Sequence, residues 1–145
     1  MNIGSLKTER RHGQLLEFPA FTDPRGTLSF LESGRHVPFD IRRIFYLYDV
    51  PAGQKRAAHA LMKCQQCLIA IGGSFDVLLD DGSTRRTYHL DRRNLGLYVP
   101  PMLWRELMNF SHDAVCLVLA SELFDPDDYY EDYESFVKAA GGNAR

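Results

Sequence analysis

The chain has 145 residues, of which 45% are hydrophobic and 25% charged, as is typical of one soluble globular domain. The formal net charge of −2 argues against a nucleic acid or an anionic membrane as the main partner. No apolar run is long enough to cross a bilayer, and the charged N-terminus lacks the apolar core of a signal peptide, so we expect a cytoplasmic protein.

Short runs of β-branched and aromatic residues alternate with turn signals along most of the chain. The turns include DPRG (23–26), DVPAG (49–53), DDGS (80–83) and VPP (99–101), and the runs include TLSFLE, IRRIFYLYDV, CLIAIGG and AVCLVLAS. Strands at such regular, short spacing predict an all-β sandwich or barrel. FDVLL followed by DDG and TRRTYHL predicts a β-hairpin.

The C-terminal stretch FDPDDYYEDYESFVKAAGG has a different pattern. Tyr129, Tyr133 and Phe136 recur at helical spacing, and Gly141 suits the end of a helix. We therefore predict one short C-terminal helix packed on the β fold. No linker or repeat divides the chain, so residues 1–145 are predicted to form a single domain, with residues 1–15 as a loosely ordered N-terminal segment.

The three cysteines are Cys64, Cys67 and Cys116, of which the first two form a CxxC pair. No second pair follows at the spacing of a zinc site. The surrounding MKCQQCLIAI is typical of a strand, which directs the two sulfurs to opposite faces. Ordinary buried thiols in a reducing compartment are favoured over redox or metal use.

The stretch GQKRAAHALMKCQQCLIAIGG, residues 53–73, has the spacing of the first metal-binding motif of cupin β-barrels. That motif reads G, five residues, H-x-H, three or four residues, E, six residues, G. Gly53 and His59 fit it, but Leu61 stands where the second histidine belongs, and Gln65 or Gln66 stands where the glutamate belongs.

The second cupin motif includes a histidine four residues before an asparagine. Here Arg105 precedes Asn109 at that distance. Leucine is no ligand, glutamine is a poor one and arginine is a permanent cation that repels an ion. We therefore predict no metal and no other cofactor at this site, and His59 on an inward-facing strand position.

A lone histidine among arginines suits metal-free proton transfer. The ordinary pKa of imidazole, about 6.5, lets it remove a proton beside a ketone if the enolate is stabilised. Arg105 is predicted to stabilise the enediolate oxygen.

Further arginines and aromatic residues suit a sugar nucleotide. Arg25, Arg43 and Arg56 are candidates to hold a diphosphate, because guanidinium groups match phosphate oxygens. Tyr46 and Trp104 are candidates to stack on a base or sugar. For each of these, a solvated or core role is the competing interpretation.

Segments across residues 18–136 resemble the TDP-4-keto-6-deoxyglucose 3,4-ketoisomerases, which are cupin-fold sugar-nucleotide enzymes. The segments are DPRGTLSFLE, VPFDIRRIFYLYDV, RAAHA, QCLIAIGGSFDVLLDDG, GLYVPPMLWREL, AVCLVLAS and FDPDDYYEDYESF. The resemblance implies a cupin-type jelly-roll β-barrel. It also implies transfer of the keto group from C4 to C3 of a TDP-linked 6-deoxyhexose through an enediol, in deoxyamino-sugar biosynthesis.

The resemblance assigns roles to individual residues. It places the catalytic base at His59 and the nucleotide and phosphate contacts at Arg25, Arg43, Arg56, Gln66 and Trp104. It further implies a homodimer with strands exchanged between subunits and no bound cofactor.

The chain departs from the family pattern R-G-x-H-A-H. It reads Arg56-Ala57-Ala58-His59-Ala60-Leu61, so the second histidine is missing. If that histidine returns the proton, another acid such as Tyr46 or water must do so. Two alternatives stay open: a non-catalytic or weakly active TDP-sugar-binding cupin, and a sugar-nucleotide epimerase, although an epimerase needs a His–Asp pair that is not evident here.

Overall fold

The computed structural model describes residues 12–141, which form short strands, one 3₁₀ turn (Pro126–Asp128) and one α-helix, α1 (Tyr133–Ala139). The strands are β1 (Gln14–Glu17), β2 (Ala20–Asp23), β3 (Gly26–Ser29), β4 (Arg43–Leu47), β5 (Arg56–Leu61), β6 (Gln66–Gly72), β7 (Phe75–Asp80), β8 (Arg85–Leu90), β9 (Leu95–Val99), β10 (Trp104–Met108), β11 (Val115–Ala120) and β12 (Tyr129–Tyr130).

The strands form two five-stranded antiparallel sheets and one separate hairpin. The first sheet has the order β1-β9-β6-β11-β4, the second has the order β12-β5-β10-β7-β8, and β2 pairs only with β3. Leu68 and Val118 of the first sheet pack with Val77 and Leu107 of the second in one buried cluster. The sheets therefore face each other across a common core, and the prediction of an all-β fold with a short C-terminal helix is confirmed.

The predicted hairpin at residues 75–90 is confirmed as β7 and β8. The Asp81 carboxylate accepts hydrogen bonds from the backbone N–H groups of Ser83 (2.8 Å) and Thr84 (2.7 Å). An aspartate that bonds its own turn in this way stabilises a tight connection. Asp80 at the end of β7 pairs with Arg85 at the start of β8, with 2.9 Å between Oδ2 and Nε.

The C-terminal helix begins later than the spacing of aromatic residues predicted. Asp132 caps α1 by accepting a hydrogen bond from the Ser135 N–H at 3.0 Å. The preceding Tyr129 and Tyr130 are extended and pair with Leu61 and Ala60 of β5. Gly141, with φ of +75°, follows the helix as predicted, in a conformation that glycine adopts at low cost.

Two predictions about the whole chain concern its ends. Residues 1–11 of the segment predicted to be loosely ordered lie outside the described residues, whereas Gln14 and Leu15 belong to β1. A single domain over residues 1–145 stays a prediction. No α-helix within residues 12–141 is long and apolar enough to cross a membrane.

All three cysteines are free and buried. Burial raises the pKa of the Cys67 thiol to about 12 and that of Cys116 to about 12. Both thiols are therefore protonated and unreactive at neutral pH, as predicted for ordinary core residues.

Candidate active site

A bulge in β5 fixes the direction of His59. In the pairing of β5 with β10, Arg105 lies opposite His59 and Glu106 lies opposite Ala57, so Ala58 has no cross-strand partner. Ala57 and Ala58 have φ values of +71° and +60°, a left-handed conformation that alanine adopts only at a cost. Bulges of this kind redirect neighbouring side chains and occur often beside active sites.

His59 and Arg105 project into a cavity between the two sheets. The cavity has a volume of about 90 Å³, and its polar lining comes from Arg56, His59, Gln66 and Arg105. The remaining lining is apolar and comes from strands β4, β5, β6, β10 and β11: Phe45, Leu47, Ala57, Leu68, Leu107 and Val118. Strand alternation explains the pairs on β4, β6 and β10, because residues two apart on one strand share a face, whereas the bulge in β5 brings the adjacent Arg56 and Ala57 to the same cavity.

Arg105 is a buried cation with an unsatisfied donor. Its side chain is almost inaccessible, at 1% exposure, and donates to the Gln66 side-chain oxygen at 2.8 Å and to the Leu103 carbonyl at 2.9 Å. Its Nε is buried without a hydrogen-bond partner, and it forms no ion pair within residues 12–141. Burial lowers the pKa of Arg105 to about 10, so the group stays charged at neutral pH and favours an anion beside it.

His59 is a neutral imidazole at neutral pH. Burial, followed by the positive charge of Arg105, lowers its pKa to about 4, although a hydrogen bond to the Ala57 backbone raises it in part. In a neutral ring, the nitrogen that bonds a carbonyl oxygen carries the proton. The other ring nitrogen therefore has a free lone pair and is the candidate base.

Several groups beside Arg105 were not predicted from the sequence. Cys64, Tyr129 and Asp128 all raise the pKa of Arg105, against the larger effect of burial. Asp128 is buried, and its carboxylate accepts hydrogen bonds from the backbone N–H groups of Lys63 (2.8 Å) and Cys64 (3.1 Å). The 3₁₀ turn thereby fixes the loop that leads into Gln66 and positions a carboxylate in the surroundings of Arg105.

Tyr129 is the aromatic neighbour of His59. The two ring centroids are 4.8 Å apart, with an angle of 66° between the ring planes. Tyr129 also packs against Phe124, at 5.9 Å between centroids. Sequence analysis assigned Tyr129 to the helical face, and only its position opposite Leu61 in the β5–β12 pair reveals its contact with the site.

The structure brings together five of the eight predicted site residues. His59, Arg105, Gln66 and Arg56 line the cavity. Arg43 lies on the β4 face that carries the lining residue Phe45, over whose ring its guanidinium sits at 5.2 Å. The Nε of Arg43 is also buried without a partner, so it is a second donor available to an anion.

The other three predicted residues point elsewhere. Tyr46 is 59% exposed and stacks on Tyr48 outside the cavity. Trp104 is buried against α1, with its ring 5.3 Å from that of Tyr133, and its indole N–H donates to Glu106. Arg25 lies at the turn of the β2–β3 hairpin, where it pairs with Asp23 at 2.6 Å.

A larger cleft lies beside α1 and the β7–β8 turn. Its volume is about 700 Å³, and its lining includes Asp81 and His12, which pair at 3.0 Å. Its other charged residue, Arg86, is exposed to solvent, so the cleft lacks the buried, unsatisfied cation that distinguishes the inner cavity. Within residues 12–141, no three His, Cys, Asp or Glu side chains lie close enough together to hold a metal ion.

Comparisons with known proteins agree on one family. The family model described as FdtA: WxcM-like, C-terminal, matches residues 11–141. A TDP-4-oxo-6-deoxy-α-D-glucose-3,4-oxoisomerase from Aneurinibacillus thermoaerophilus is 38% identical over 125 residues, which cover 86% of this chain and 90% of that protein.

Solved structures of similar proteins have the same fold. A 3,4-ketoisomerase from Helicobacter canadensis is 39% identical, with a TM-score of 0.87 over 89% of this chain and 97% of the other. The sugar 3,4-ketoisomerase QdtA from Thermoanaerobacterium thermosaccharolyticum, solved in complex with TDP, is 32% identical, with a TM-score of 0.88 over 91% of this chain and 96% of the other. The cupin-type fold predicted from the sequence is thereby confirmed.

Proposed function

Because the chain belongs to the family described as FdtA: WxcM-like, C-terminal, we propose that it is a sugar 3,4-ketoisomerase acting on TDP-4-keto-6-deoxyglucose. The reaction moves the keto group from C4 to C3 of the hexose and supplies a 3-keto sugar for deoxyamino-sugar synthesis. One observation carries the proposal: a neutral imidazole lies directly across the strand pair from a buried guanidinium that has an unused donor.

His59 and Arg105 divide the first half of the reaction between them. The free ring nitrogen of His59 takes the proton from C3. The electrons of the C3–H bond then form the C3=C4 bond, and the C4 carbonyl oxygen becomes an enediolate oxygen. Arg105 stabilises this oxygen by a charge-assisted hydrogen bond, which is stronger in a cavity that excludes water. Proton transfer from the His59 imidazolium to the same oxygen gives the neutral enediol and restores the base.

The second half of the reaction needs an acid at C4. The hydroxyl group at C3 loses its proton, C3 becomes the carbonyl carbon, and C4 accepts a proton to complete the product. The sequence leaves this acid unassigned because Leu61 replaces the second histidine of the family pattern. Tyr46, the predicted substitute, is exposed outside the cavity.

The size of the cavity limits what enters it. A volume of about 90 Å³ takes only part of a hexose ring, so the nucleotide lies toward the protein surface. Arg56 lines the cavity but is also exposed to solvent, so it can contact a diphosphate oxygen near the protein surface. Arg43, with its unpartnered Nε, is the second phosphate ligand in this proposal, and Gln66 holds the Arg105 guanidinium in place.

A homodimer with exchanged hairpins is the proposed assembly. Every residue of β2 and β3 is exposed, and Phe21 and Leu28 are 62% and 61% exposed. A lone two-stranded hairpin is marginally stable in water, and exposed apolar side chains on it favour burial against a second copy. Exchange would also carry Arg25 to the partner subunit. Within its own subunit, Arg25 lines no part of the cavity.

Two alternatives are less well supported than the isomerase. An epimerase of the type considered needs a carboxylate paired with its histidine, whereas the His59 ring bonds the Ala57 backbone. A binding protein without turnover could use the Arg105 cation, but it has no need of a neutral imidazole directly opposite that cation. The three free thiols agree with the reducing cytoplasm as the proposed compartment.

Incubation with TDP-4-keto-6-deoxyglucose in deuterated water distinguishes these functions. Proton and carbon NMR follow the position of the ketone and the entry of deuterium. An isomerase moves the ketone to C3 and exchanges the transferred proton. An epimerase exchanges C3 and C5 while the ketone stays at C4, and a binding protein does neither, although TDP raises its melting temperature. Either of the last two results would contradict the proposal.

A further inference from the structure

Tyr129 is the cross-strand neighbour of Leu61, the residue that stands in place of the second histidine of the family pattern. It lies directly opposite Leu61 in the β12–β5 pair. Directly opposite residues in an antiparallel pair point to the same face, with about 5 Å between their Cβ atoms. Because Leu61 and His59 are two apart on β5, Tyr129 lies on the same face as both, next to His59 and just beyond the residues that line the cavity. Its ring contact with His59, at 4.8 Å between centroids, agrees with this placement.

The hydroxyl of Tyr129 lies in the electrostatic surroundings of Arg105. Tyr129 is one of the groups that raise the pKa of Arg105. The Arg105 residue lies across the β5–β10 pair from His59, and the Tyr129 ring contacts the same imidazole. A tyrosine hydroxyl both donates and accepts, so one group can release a proton and recover it.

The other tyrosines are engaged away from His59. Tyr46 and Tyr48 are exposed outside the cavity, and Tyr130 packs against Phe136 of α1. Three have hydroxyls that donate to other groups: Tyr88 to the His12 carbonyl, Tyr98 to the Gln65 side chain and Tyr133 to Asp80. Of the seven tyrosines in the chain, Tyr129 is the one whose ring contacts the candidate base.

We propose that Tyr129 is the catalytic acid that delivers the proton to C4 of the enediol, in the place of the histidine that Leu61 replaces. The inference rests on the proposed ketoisomerase function. His59 removes the proton from the C3 hydroxyl, and the electrons of that O–H bond form the C3 carbonyl. The C3=C4 electrons take the proton of the Tyr129 hydroxyl at C4. The imidazolium and phenolate thus formed are neighbours, and proton transfer from His59 to Tyr129 restores both groups.

The test compares two reactions of a Tyr129→Phe variant. Phenylalanine keeps the ring against His59 and removes only the hydroxyl. With TDP-4-keto-6-deoxyglucose in deuterated water, the variant should still exchange the C3 proton, because His59 and Arg105 are intact. Transfer of the ketone to C3 should slow by about 100-fold or more, the usual contribution of a positioned acid. Tyr130→Phe is the matched control, since Tyr130 packs under α1, and it should keep both rates.

Three other outcomes have different meanings. Ketone transfer at the wild-type rate in Tyr129→Phe overturns the role of Tyr129. Equal loss of C3 exchange and ketone transfer also overturns it, because the ring would then serve only to position His59. If the wild-type protein itself neither exchanges C3 nor moves the ketone, the proposed function fails first, and the inference fails with it.

Discussion

His59 is an imidazole that its surroundings keep neutral. Burial and the charge of Arg105 both disfavour protonation of His59, and the bond to Ala57 selects which ring nitrogen is free. A low pKa makes His59 a weak base in the empty site. The diphosphate and the developing enediolate are both anionic, so bound substrate favours the imidazolium and strengthens the base when it is needed.

The low pKa of His59 predicts a pH dependence of stability. Its folded pKa is about 4, below the ordinary value of 6.5, so the unfolded chain binds more protons between these values. The contribution of His59 is therefore fully present above pH 6.5 and is lost as the pH falls through 4. When the pH is lowered from 7 to 4.5, the unfolding free energy of both proteins should fall, but the fall should be about 2 kcal/mol smaller for His59→Asn than for the wild type. Urea denaturation at each pH measures the two values.

His112→Asn is the control for this measurement, because His112 is exposed in a turn. It should follow the wild-type pH dependence. If His59→Asn follows it as well, the imidazole is not kept neutral by the fold.

Much of the site followed from strand alternation, and alternation also explains the errors. His59, Gln66 and Arg105 were predicted together, and the structure brings them together. Trp104 is adjacent to Arg105 on β10, so the two side chains cannot both face the cavity. Tyr46 and Arg43, three apart on β4, face opposite sides for the same reason. The predicted set therefore combined residues from opposite faces of the same strand, which strand alternation alone could have excluded.

The bulge in β5 is the feature that matters most at the scale of single elements. It turns the strand at Ala57 and Ala58, directs the Ala57 carbonyl to His59 and places His59 opposite Arg105. The sequence did not predict it, because alanine gives no signal of a left-handed conformation. The family pattern has glycine at position 57, and that difference was the one available indication.

Relief of this strain is a testable consequence. Ala57→Gly should raise the free energy of unfolding by roughly 0.5–1 kcal/mol, because glycine adopts a φ of +71° readily. Ala60→Gly, the same change on the same strand at a residue without positive φ, should instead cost about 1 kcal/mol. Urea denaturation of both variants gives the comparison. An equal decrease in the free energy of unfolding in the two variants would show that Ala57 is not strained.

The aromatic residues of the C-terminal segment have a single helical spacing but lie in a strand and in a helix. Tyr129, Tyr133 and Phe136 have helical spacing, but Asp132 starts the helix and leaves Tyr129 in a strand. A cap residue inside a helical pattern is a signal for a boundary, which the spacing of the aromatic residues hid. The boundary has a functional consequence, since only an extended Tyr129 lies opposite Leu61.

At the scale of the whole molecule, the fold was predictable and the assembly was less so. Regular turns and short strands specified an all-β fold, because each strand needs a second layer to bury its apolar face. The β2–β3 hairpin pairs with neither sheet, and all its residues are exposed. In the proposed dimer the hairpin packs against a second copy of the chain, and no pattern within one chain specifies such a partner.

If the hairpins are exchanged between subunits, mutations of their apolar residues should lower the mass of the protein in solution. Replacement of Phe21 and Leu28 by aspartate should convert a dimer to a monomer, because two buried charges oppose the apolar contact. Light scattering after size exclusion measures the mass directly. Ser83→Asp, which adds a charge at the exposed β7–β8 turn, should leave the dimer intact. A wild-type monomer, or a dimer that survives the double substitution, would exclude the hairpin as the interface.

In the proposed reaction, His59 removes the C3 proton from a bound TDP-4-keto sugar. The direct measurement is the rate at which deuterium from solvent enters C3, compared between the wild type and His59→Asn, with TDP-induced stabilisation measured on both. We expect rapid exchange in the wild type, loss of exchange by about 100-fold or more in the variant, and the same rise in melting temperature with TDP. Exchange at the wild-type rate in His59→Asn would show that His59 is not the base.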